Sequence, residues 1–225
     1  MKLSSAVILL LMVQALAIQG AEWTDPDQPL TDEGFEVIAR ERGVTVYQHK
    51  DAKNIRVAAE GIINAPPEQV AQALLDYEHQ RGVIKRVSES KILEHKPRFL
   101  IVYQHLNLPI ISDRDYTLFV TWGTSGKLRW IVYRAITERG PPEKDGIVRV
   151  TEHDGSWQLT PLGINGENTQ LRFQMTIDLA GWLPRWLARS KAGDEVPDLY
   201  ASIRALVLNE ANVQKGKQSC TSKSC

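Results

Sequence analysis

The sequence predicts an α+β domain in which a curved antiparallel β-sheet wraps around a long C-terminal α-helix. Between residues 85 and 179 the chain has a series of strand-like segments joined by short Gly-, Pro- and charge-rich turns, which is typical of an antiparallel meander. Apolar residues then recur at helical spacing at Leu199, Ile203 and Leu206. Because a sheet with one apolar face needs a covering element, we expect the sheet to curl around this last helix.

Composition indicates one soluble globular domain. The chain has 225 residues, 43% of them hydrophobic and 24% charged, and its formal net charge is zero. A nucleic-acid interface would show as a strong basic excess, so we expect no nucleic-acid partner. We divide the chain into a signal peptide at residues 1–17, a domain at residues 22–213 and a flexible polar tail at residues 214–225, and we expect a monomer.

The N-terminal residues have the features of a secretory signal peptide. Lys2 precedes an apolar run from Ala6 to Ile18, and the small residues Ala15 and Ala17 fit a cleavage site after Ala17. This pattern predicts a periplasmic or secreted protein. The alternative is an uncleaved membrane anchor, although the run is shorter than the ~20 residues that span a bilayer.

The two cysteines, Cys220 and Cys225, lie in the polar tail. Export makes a disulfide between them possible, and a disordered tail is the alternative. Two cysteines and a lysine are too few ligands for a metal ion. The sequence therefore predicts no metal site, and we expect no cofactor.

The first part of the domain is predicted to contain two helices and two strands. Residues 34–42 are expected to form a short helix ended by Gly43, and residues 44–49 and 55–63 to form strands. Residues 66–77 have apolar positions at helical spacing after a Pro-Pro-Glu start, which predicts an amphipathic helix. Further strands are predicted at Ser88–Glu94, Phe99–Leu106, Asp115–Trp122, Leu128–Thr137, Ile147–Leu159 and Gln170–Leu179.

Alternation within the later strands predicts which face of the sheet is apolar. Odd-numbered positions are mostly apolar in three strands, at Phe99, Ile101, Tyr103, Ile131, Tyr133, Leu171, Phe173, Met175 and Ile177. Arg172, Gln174 and Thr176 alternate with them, so we expect one face to be solvated and the other to pack on the last helix. That helix is expected between residues 181 and 212, with a possible kink at Pro197.

An arginine lies between two aspartates at the start of a predicted strand, in the sequence Asp113-Arg114-Asp115-Tyr116. A charge at such a position is costly to bury without a partner. Two interpretations stay open. In the first, the guanidinium pairs with Asp113, Asp115 or Glu60. In the second, Arg114 offers one charged group to a ligand in an otherwise apolar interior.

Four segments of the chain are similar, in the same order, to segments of START domains, the steroidogenic-acute-regulatory-related lipid-transfer domains. These segments are Asp113–Tyr116, Gly146–His153, Trp157–Leu162 and Thr176–Pro184. Ala65–Val70 resembles a segment shared more widely among helix-grip proteins, including plant pollen allergens and polyketide cyclases. The resemblance covers residues 34–212. It implies a helix-grip fold with a deep internal apolar tunnel that holds one lipid, sterol or similar molecule, usually without catalysis.

The resemblance implies that Arg114 is the polar contact for a ligand's head group, because a guanidinium presents a fork of donors to phosphate. Two adjacent carboxylates would leave it little free charge, which favours a neutral or weakly polar ligand over a phospholipid. Further ligand contacts are expected on or near the inner phase of the strands, from Tyr103, His105, Tyr133, Trp157, Phe173 and Met175. The alternative for each is core packing, and His153 is expected to be a satisfied structural histidine.

The predicted start of the last helix combines aromatic and aliphatic residues with basic ones. Trp182, Leu183, Trp186 and Leu187 are flanked by two arginines and a lysine, a combination typical of membrane interfaces. We expect these residues either to form a lid edge that touches a membrane transiently or to pack on the sheet.

Familiar catalytic motifs are missing from the sequence, which has no H-E-x-x-H, no G-x-S-x-G and no phosphate-binding loop. The main hypothesis is therefore binding and transfer of a hydrophobic small molecule such as a sterol or phospholipid. One alternative is a helix-grip cyclase or hydratase acting on an apolar polyketide-like substrate, with His105, Asp113 and Tyr103 as acid–base candidates. Another is a protein-interaction role for the tail, with the domain as a ligand sensor.

Overall fold

The computed structural model describes residues 28–50, 54–109, 111–180 and 193–209. The strands are β1 Phe35–Glu41, β2 Val44–His49, β3 Ile55–Ile63, β4 Val87–Lys96, β5 Phe99–Leu106, β6 Asp113–Ser125, β7 Leu128–Ala135, β8 Ile147–Arg149, β9 Glu152–Leu162 and β10 Asn168–Asp178. Helix α1 is Pro67–Leu75, and residues 193–209 form helix α2. Short 3-10 helices lie at Leu30–Glu33 and Tyr77–Gln80.

One antiparallel sheet contains nearly all of the strands. Its order is β1-β2-β3-β10-β9-β7-β6-β5-β4, and the short strand β8 pairs in parallel with the start of β6. The first three strands form one meander and the later strands another. The two meanders join where β10 pairs with β3 along its length, from Thr169 opposite Ile63 to Ile177 opposite Ile55. The predicted curved antiparallel sheet with a C-terminal helix is therefore confirmed.

Helix α1 begins as the sequence predicts. Pro66 has an extended conformation before the helix, and Pro67 occupies the first turn, where a missing N–H costs nothing. Glu68 adds a negative charge near the positive end of the helix dipole. Val70 and Ala73 are fully buried, so the apolar face of this helix covers part of the sheet.

Helix α2 packs across the junction between β3 and β10. The Tyr200 hydroxyl lies 3.1 Å from the carbonyl oxygen of Ala59 and 2.9 Å from that of Leu171, and thus links the helix to both strands. A Cβ atom at Gly61 would lie only 2.9 Å from the Tyr200 ring, so a glycine is needed at this crossing. The helix turns a largely apolar face towards the sheet, with Val196, Tyr200, Ile203, Leu206 and Val207 buried.

A helix is predicted over residues 34–42, but Phe35–Glu41 form the strand β1. Arg42 and Gly43 both have positive φ, 50° and 72°, which is the geometry of a tight hairpin turn. Glu41 lies directly opposite Val44 across this turn. Pairing with β2 therefore overrides the weak helical pattern of the segment. The strand predicted over residues 147–159 is likewise divided, into β8 and β9.

The outer face of β3 and β10 is not solvated as the alternation predicts. Arg172 is only 8% exposed, and its guanidinium pairs with Glu60 and donates to the carbonyl oxygen of Gln28. Leu30 and Phe35 are buried in a second, small apolar cluster on Ala58. The N-terminal segment of the domain therefore covers this part of the sheet, which local alternation does not reveal.

Within the ranges that the structure describes, no helix is long and apolar enough to cross a membrane. The predicted signal peptide, the lid residues Trp182, Leu183, Trp186 and Leu187, and the cysteine-containing tail lie outside the described residues.

Candidate ligand-binding site

A cavity of about 300 Å³ lies between the sheet and helix α2. This volume is at the lower end of the range for small-molecule pockets, ~300–1,000 Å³. Its wall is mainly aliphatic and aromatic, and includes Ile55, Val57, Leu74, Tyr77, Val87, Leu106, Leu108, Leu118, Tyr133, Trp157, Phe173, Met175, Ile177, Leu179, Val196, Leu199, Ile203 and Leu206. The sheet and both α-helices thus contribute side chains to one apolar cavity.

Neighbouring strands build the aromatic part of the wall. Trp157 on β9 lies opposite Phe173 on β10, and their rings stack with centroids 4.2 Å apart. Met175 follows Phe173 on the same face of β10 and also lines the cavity. Tyr133 reaches the cavity from β7. The structure therefore brings together four of the predicted contact residues, Tyr133, Trp157, Phe173 and Met175.

A polar network lies at one side of the cavity and is closed on itself. The Tyr116 hydroxyl donates to Gln104 Oε1 at 2.9 Å, and Gln104 Nε2 donates to Gln80 Oε1 at 2.9 Å and to Ser90 Oγ at 3.0 Å. Gln80 Nε2 in turn donates to the carbonyl oxygen of Leu74. Both amide hydrogens and the oxygen of Gln104 are therefore engaged, so this network satisfies itself without a ligand.

His153 has no comparable partners. The residue is 7% exposed and lines the cavity, and neither ring nitrogen has a hydrogen-bond partner among the described residues. The rings of Tyr116 and Tyr133 meet it edge-on, with centroids 4.8 and 5.1 Å away. Burial lowers the pKa of His153 to about 4, so the imidazole is neutral at pH 7. The expectation of a satisfied structural histidine is wrong.

Glycine at position 155 makes room for one of these neighbours. It lies between His153 and Trp157 on the inner face of β9, and a Cβ there would be 2.3 Å from the Tyr133 hydroxyl oxygen. The absent side chain lets Tyr133 extend across β9 beside His153. Burial raises the pKa of Tyr133 well above its usual value, so the phenol stays protonated.

Two cations at the cavity rim are already paired with helix α2. Lys85 contacts Asp198 at 2.8 Å, and Arg86 contacts Glu195 at 3.0 Å. Arg42 from the β1–β2 turn also contacts Asp198 at 2.8 Å. These ion pairs neutralise the charges at the rim and link helix α2 to the segments on either side of the cavity.

Arg114 is buried but is absent from the cavity lining. Its guanidinium donates to the carbonyl oxygens of Leu179 and Ala180, both at 3.2 Å, and to that of Ser112. Desolvation lowers the pKa of Arg114. Ala180 has a positive φ of 52°, so Arg114 holds the chain at a sharp change of direction after β10.

The predicted carboxylate partners of Arg114 are engaged elsewhere, so that pairing is wrong. Asp115 accepts two bonds from Arg149, at 2.6 and 3.0 Å. Asp113 contacts His105. Glu60 binds Arg172, as described above. Carbonyl groups satisfy the Arg114 guanidinium instead, and the residue is not among those that line the cavity.

Tyr103 and His105 lie on the opposite face of β5 from the cavity, so the predicted phase of this strand is wrong by one residue. The inner positions include Gln104 and Leu106. The Tyr103 hydroxyl donates to Asp115 at 3.1 Å, and His105 Nε2 lies 3.0 Å from Asp113. All three acid–base candidates of the enzyme hypothesis, Tyr103, His105 and Asp113, are therefore outside the cavity lining.

The outer face of β5 is apolar because another segment covers it. The outward-facing Ile101 and Tyr103 are at most 2% exposed. Arg149 crosses to Asp115 and donates to the carbonyl oxygen of Pro141, and Gly140 packs on Thr117. Since both faces of β5 are buried, alternation alone cannot identify the inner one.

A curved antiparallel sheet that closes on a C-terminal helix over an apolar cavity defines a helix-grip domain. The sequence model of the START domain matches residues 39–211. The chain belongs to the START domain family, and this membership implies binding of a lipid or similar hydrophobic ligand.

Several known proteins are similar to the chain. The mitochondrial steroidogenic acute regulatory protein of Gallus gallus is 28% identical over 150 residues, which are 64% of this chain and 53% of that protein. The chain thus matches about half the length of this relative.

Solved structures of similar fold come from bacteria and humans. A STAR-related lipid transfer protein fragment from Xanthomonas axonopodis has a TM-score of 0.70 at 21% identity, over 77% of this chain and 98% of the fragment. Human STARD10 has a TM-score of 0.72 at 15% identity, over 90% of this chain and 87% of its own. Human StAR-related lipid transfer protein 5 has a TM-score of 0.71 at 18% identity, over 92% and 96%. At these identities the structures establish the fold alone.

Proposed function

We propose that the protein binds one hydrophobic small molecule in the cavity between the sheet and helix α2, and transfers it between membranes. The observation that carries this proposal is the cavity itself, with an apolar wall, rim charges that are already paired and a polar network that is already closed. Family membership supports the same function. Such a space favours an apolar occupant over a charged one.

Binding would draw its free energy mainly from burial of the ligand. Apolar surface removed from water contributes ~25 cal/mol per Å², reduced by the cost of ordering the ligand and the protein. The Trp157–Phe173 stack and the aliphatic residues of α2 would supply the contacts. Because such contacts lack direction, they restrict size and shape more than chemical identity.

Transfer requires the cavity to open, since a ligand sealed from water cannot leave a rigid shell. Membrane contact is supported by four apolar and aromatic residues that follow β10 in the sequence, Trp182, Leu183, Trp186 and Leu187. Residues 1–17 support action outside the cytoplasm. N-terminal sequencing of the protein from its native cell tests this placement, because it should begin after Ala17 and not at Met1.

A cavity-filling substitution tests where the ligand binds. We expect Met175→Trp to reduce the fraction of protein that carries ligand at least severalfold, because the larger ring occupies ligand space on the inner face of β10. Thr176→Trp is the matched control, because residue 176 is the next position on the strand and points to the other face. Native mass spectrometry with lipid extraction measures the occupancy.

Two results would contradict the proposal. One is equal occupancy in both variants and the parent protein. The other is a parent protein that is empty after purification and takes up no sterol, phospholipid or carotenoid.

A further inference from the structure

We infer that His153 is the polar anchor of the bound molecule and that it selects an uncharged ligand with a hydroxyl group. This inference rests on the proposed binding function. It extends that function by naming the residue that hydrogen-bonds to the polar group of the ligand and the chemical class of that group.

The first observation that supports this inference is the unsatisfied hydrogen-bonding capacity of the His153 ring nitrogens. A buried polar atom without a hydrogen-bond partner destabilises the folded protein, and most buried side-chain polar atoms in proteins therefore have one. Both ring nitrogens of His153 lack a partner among the residues that the structure describes, although the residue is only 7% exposed. Because His153 lines the cavity, a ligand there can supply the missing bond.

The neighbours of His153 are the second support. Tyr116 and Tyr133 hold the imidazole edge-on from β6 and β7. The Tyr116 hydroxyl is already donated to Gln104. The imidazole is thus fixed in orientation by packing, and the side chains that fix it do not satisfy its nitrogens.

The charge of the surroundings narrows the ligand class. The burial that lowers the pKa of His153 to about 4 keeps the ring neutral, so it offers one N–H donor and one acceptor nitrogen. A hydroxyl can both donate and accept, and therefore suits either nitrogen. A phosphate beside His153 would instead lose its hydration without gaining a cation, because Lys85 and Arg86 are paired with α2 and Arg114 is held by carbonyl groups.

Three ligands with the same alkyl chain test the inference: dodecane, 1-dodecanol and dodecyl phosphate. Their affinities for the full protein are measured by displacement of the neutral dye Nile red at pH 7. We expect dodecanol to bind about three- to tenfold more tightly than dodecane, the net effect of one buried hydrogen bond. Dodecyl phosphate should bind more weakly than dodecanol.

His153→Phe keeps an aromatic ring but removes both nitrogens. It should abolish the preference for dodecanol while dodecane still binds, and His153→Gln should restore part of the preference. His79→Phe, at an exposed histidine that is not among the residues lining the cavity, is the control and should leave the preference unchanged. If the phenylalanine variant does not fold, the ¹⁵N chemical shifts of the His153 ring in the parent protein test the hydrogen bond to the ligand instead. Dodecanol should move them and dodecane should not.

The outcomes separate the inference from the proposed function. Equal affinity of the parent protein for dodecanol and dodecane, tightest binding of the phosphate, or a preference that survives in His153→Phe would overturn the role of His153 and leave hydrophobic binding intact. Unmoved His153 shifts in the presence of bound dodecanol would overturn it as well. Failure of Nile red and all three ligands to bind would overturn the proposed function itself.

Discussion

At the scale of single residues, neutral and buried polar groups distinguish this cavity from an ordinary core. His153 is the clearest example, because β9 places it in the wall beside Trp157 and no side chain in the described part of the chain satisfies it. A sequence shows that a histidine follows Glu152, but hydrogen-bond partners come from strands remote in the chain. The unsatisfied environment of His153 can therefore be recognised only from the folded arrangement of β6, β7 and β9.

The lowered pKa of His153 predicts a dependence of stability on pH. Unfolding restores an ordinary pKa near 6.5, so between pH 6.5 and about 4 the unfolded chain binds a proton that the folded protein does not. Stability from this residue is thus fully present above pH 6.5 and is lost as the pH falls, by about 2 kcal/mol at pH 5. The groups packed against it, Tyr116 and Tyr133, remain protonated throughout because burial raises their pKa values.

Urea unfolding at pH 7.5 and pH 5 measures this effect. The parent protein should lose about 2 kcal/mol more stability between these pH values than His153→Phe, since the other titrating groups are common to both proteins. An equal loss in the two proteins would show that the imidazole does not lie in the environment described.

At the scale of elements, strand pairing and coverage decide more than local pattern does. The strands from β4 to β7 and β10 follow their predicted bounds closely, because alternating or apolar runs bounded by turns are a strong signal. The apolar spacing of residues 34–42 is ambiguous and predicts a helix, but pairing with the adjacent strand β2 across a tight turn makes the segment a strand. Both faces of β5 are buried, so alternation does not identify the face that lines the cavity. The prediction that Tyr103 and His105 contact the ligand is wrong for this reason.

The ion pairs between α2 and the rim predict an effect on ligand exchange. Asp198→Asn removes the shared partner of Lys85 and Arg42, and should loosen the start of the described helix over the cavity. We expect dissociation of Nile red to become severalfold faster, while thermal stability changes little, because exposed ion pairs contribute weakly to folding.

Stopped-flow fluorescence measures this dissociation rate. Asp194→Asn is the control, because residue 194 lies on the same helix, carries the same charge and is exposed. The rim pairs would have no part in exchange if both variants released the dye at the rate of the parent protein.

At the scale of the whole molecule, the order of motifs predicts the architecture better than it predicts the site. Four segments in the family's order, followed by an amphipathic helix, were enough to predict the helix-grip fold. Four of the seven predicted ligand contacts line the cavity, and three of them, Tyr133, Phe173 and Met175, lie on β7 and β10, where alternation indicates the apolar face. The resemblance to START domains implies that Arg114 is a head-group contact. The sequence could not show that the carbonyls of Ser112, Leu179 and Ala180 would converge on it.

The central claim, a hydrophobic ligand held inside the domain, is tested most directly by intermolecular nuclear Overhauser effects from bound dodecanol. We predict contacts from the ligand chain to the ring protons of Trp157 and Phe173 and to side chains of α2 such as Ile203, since these line the cavity. Contacts confined to outward-facing residues such as Tyr103 or Thr176, with none to Trp157 or Phe173, would contradict the account.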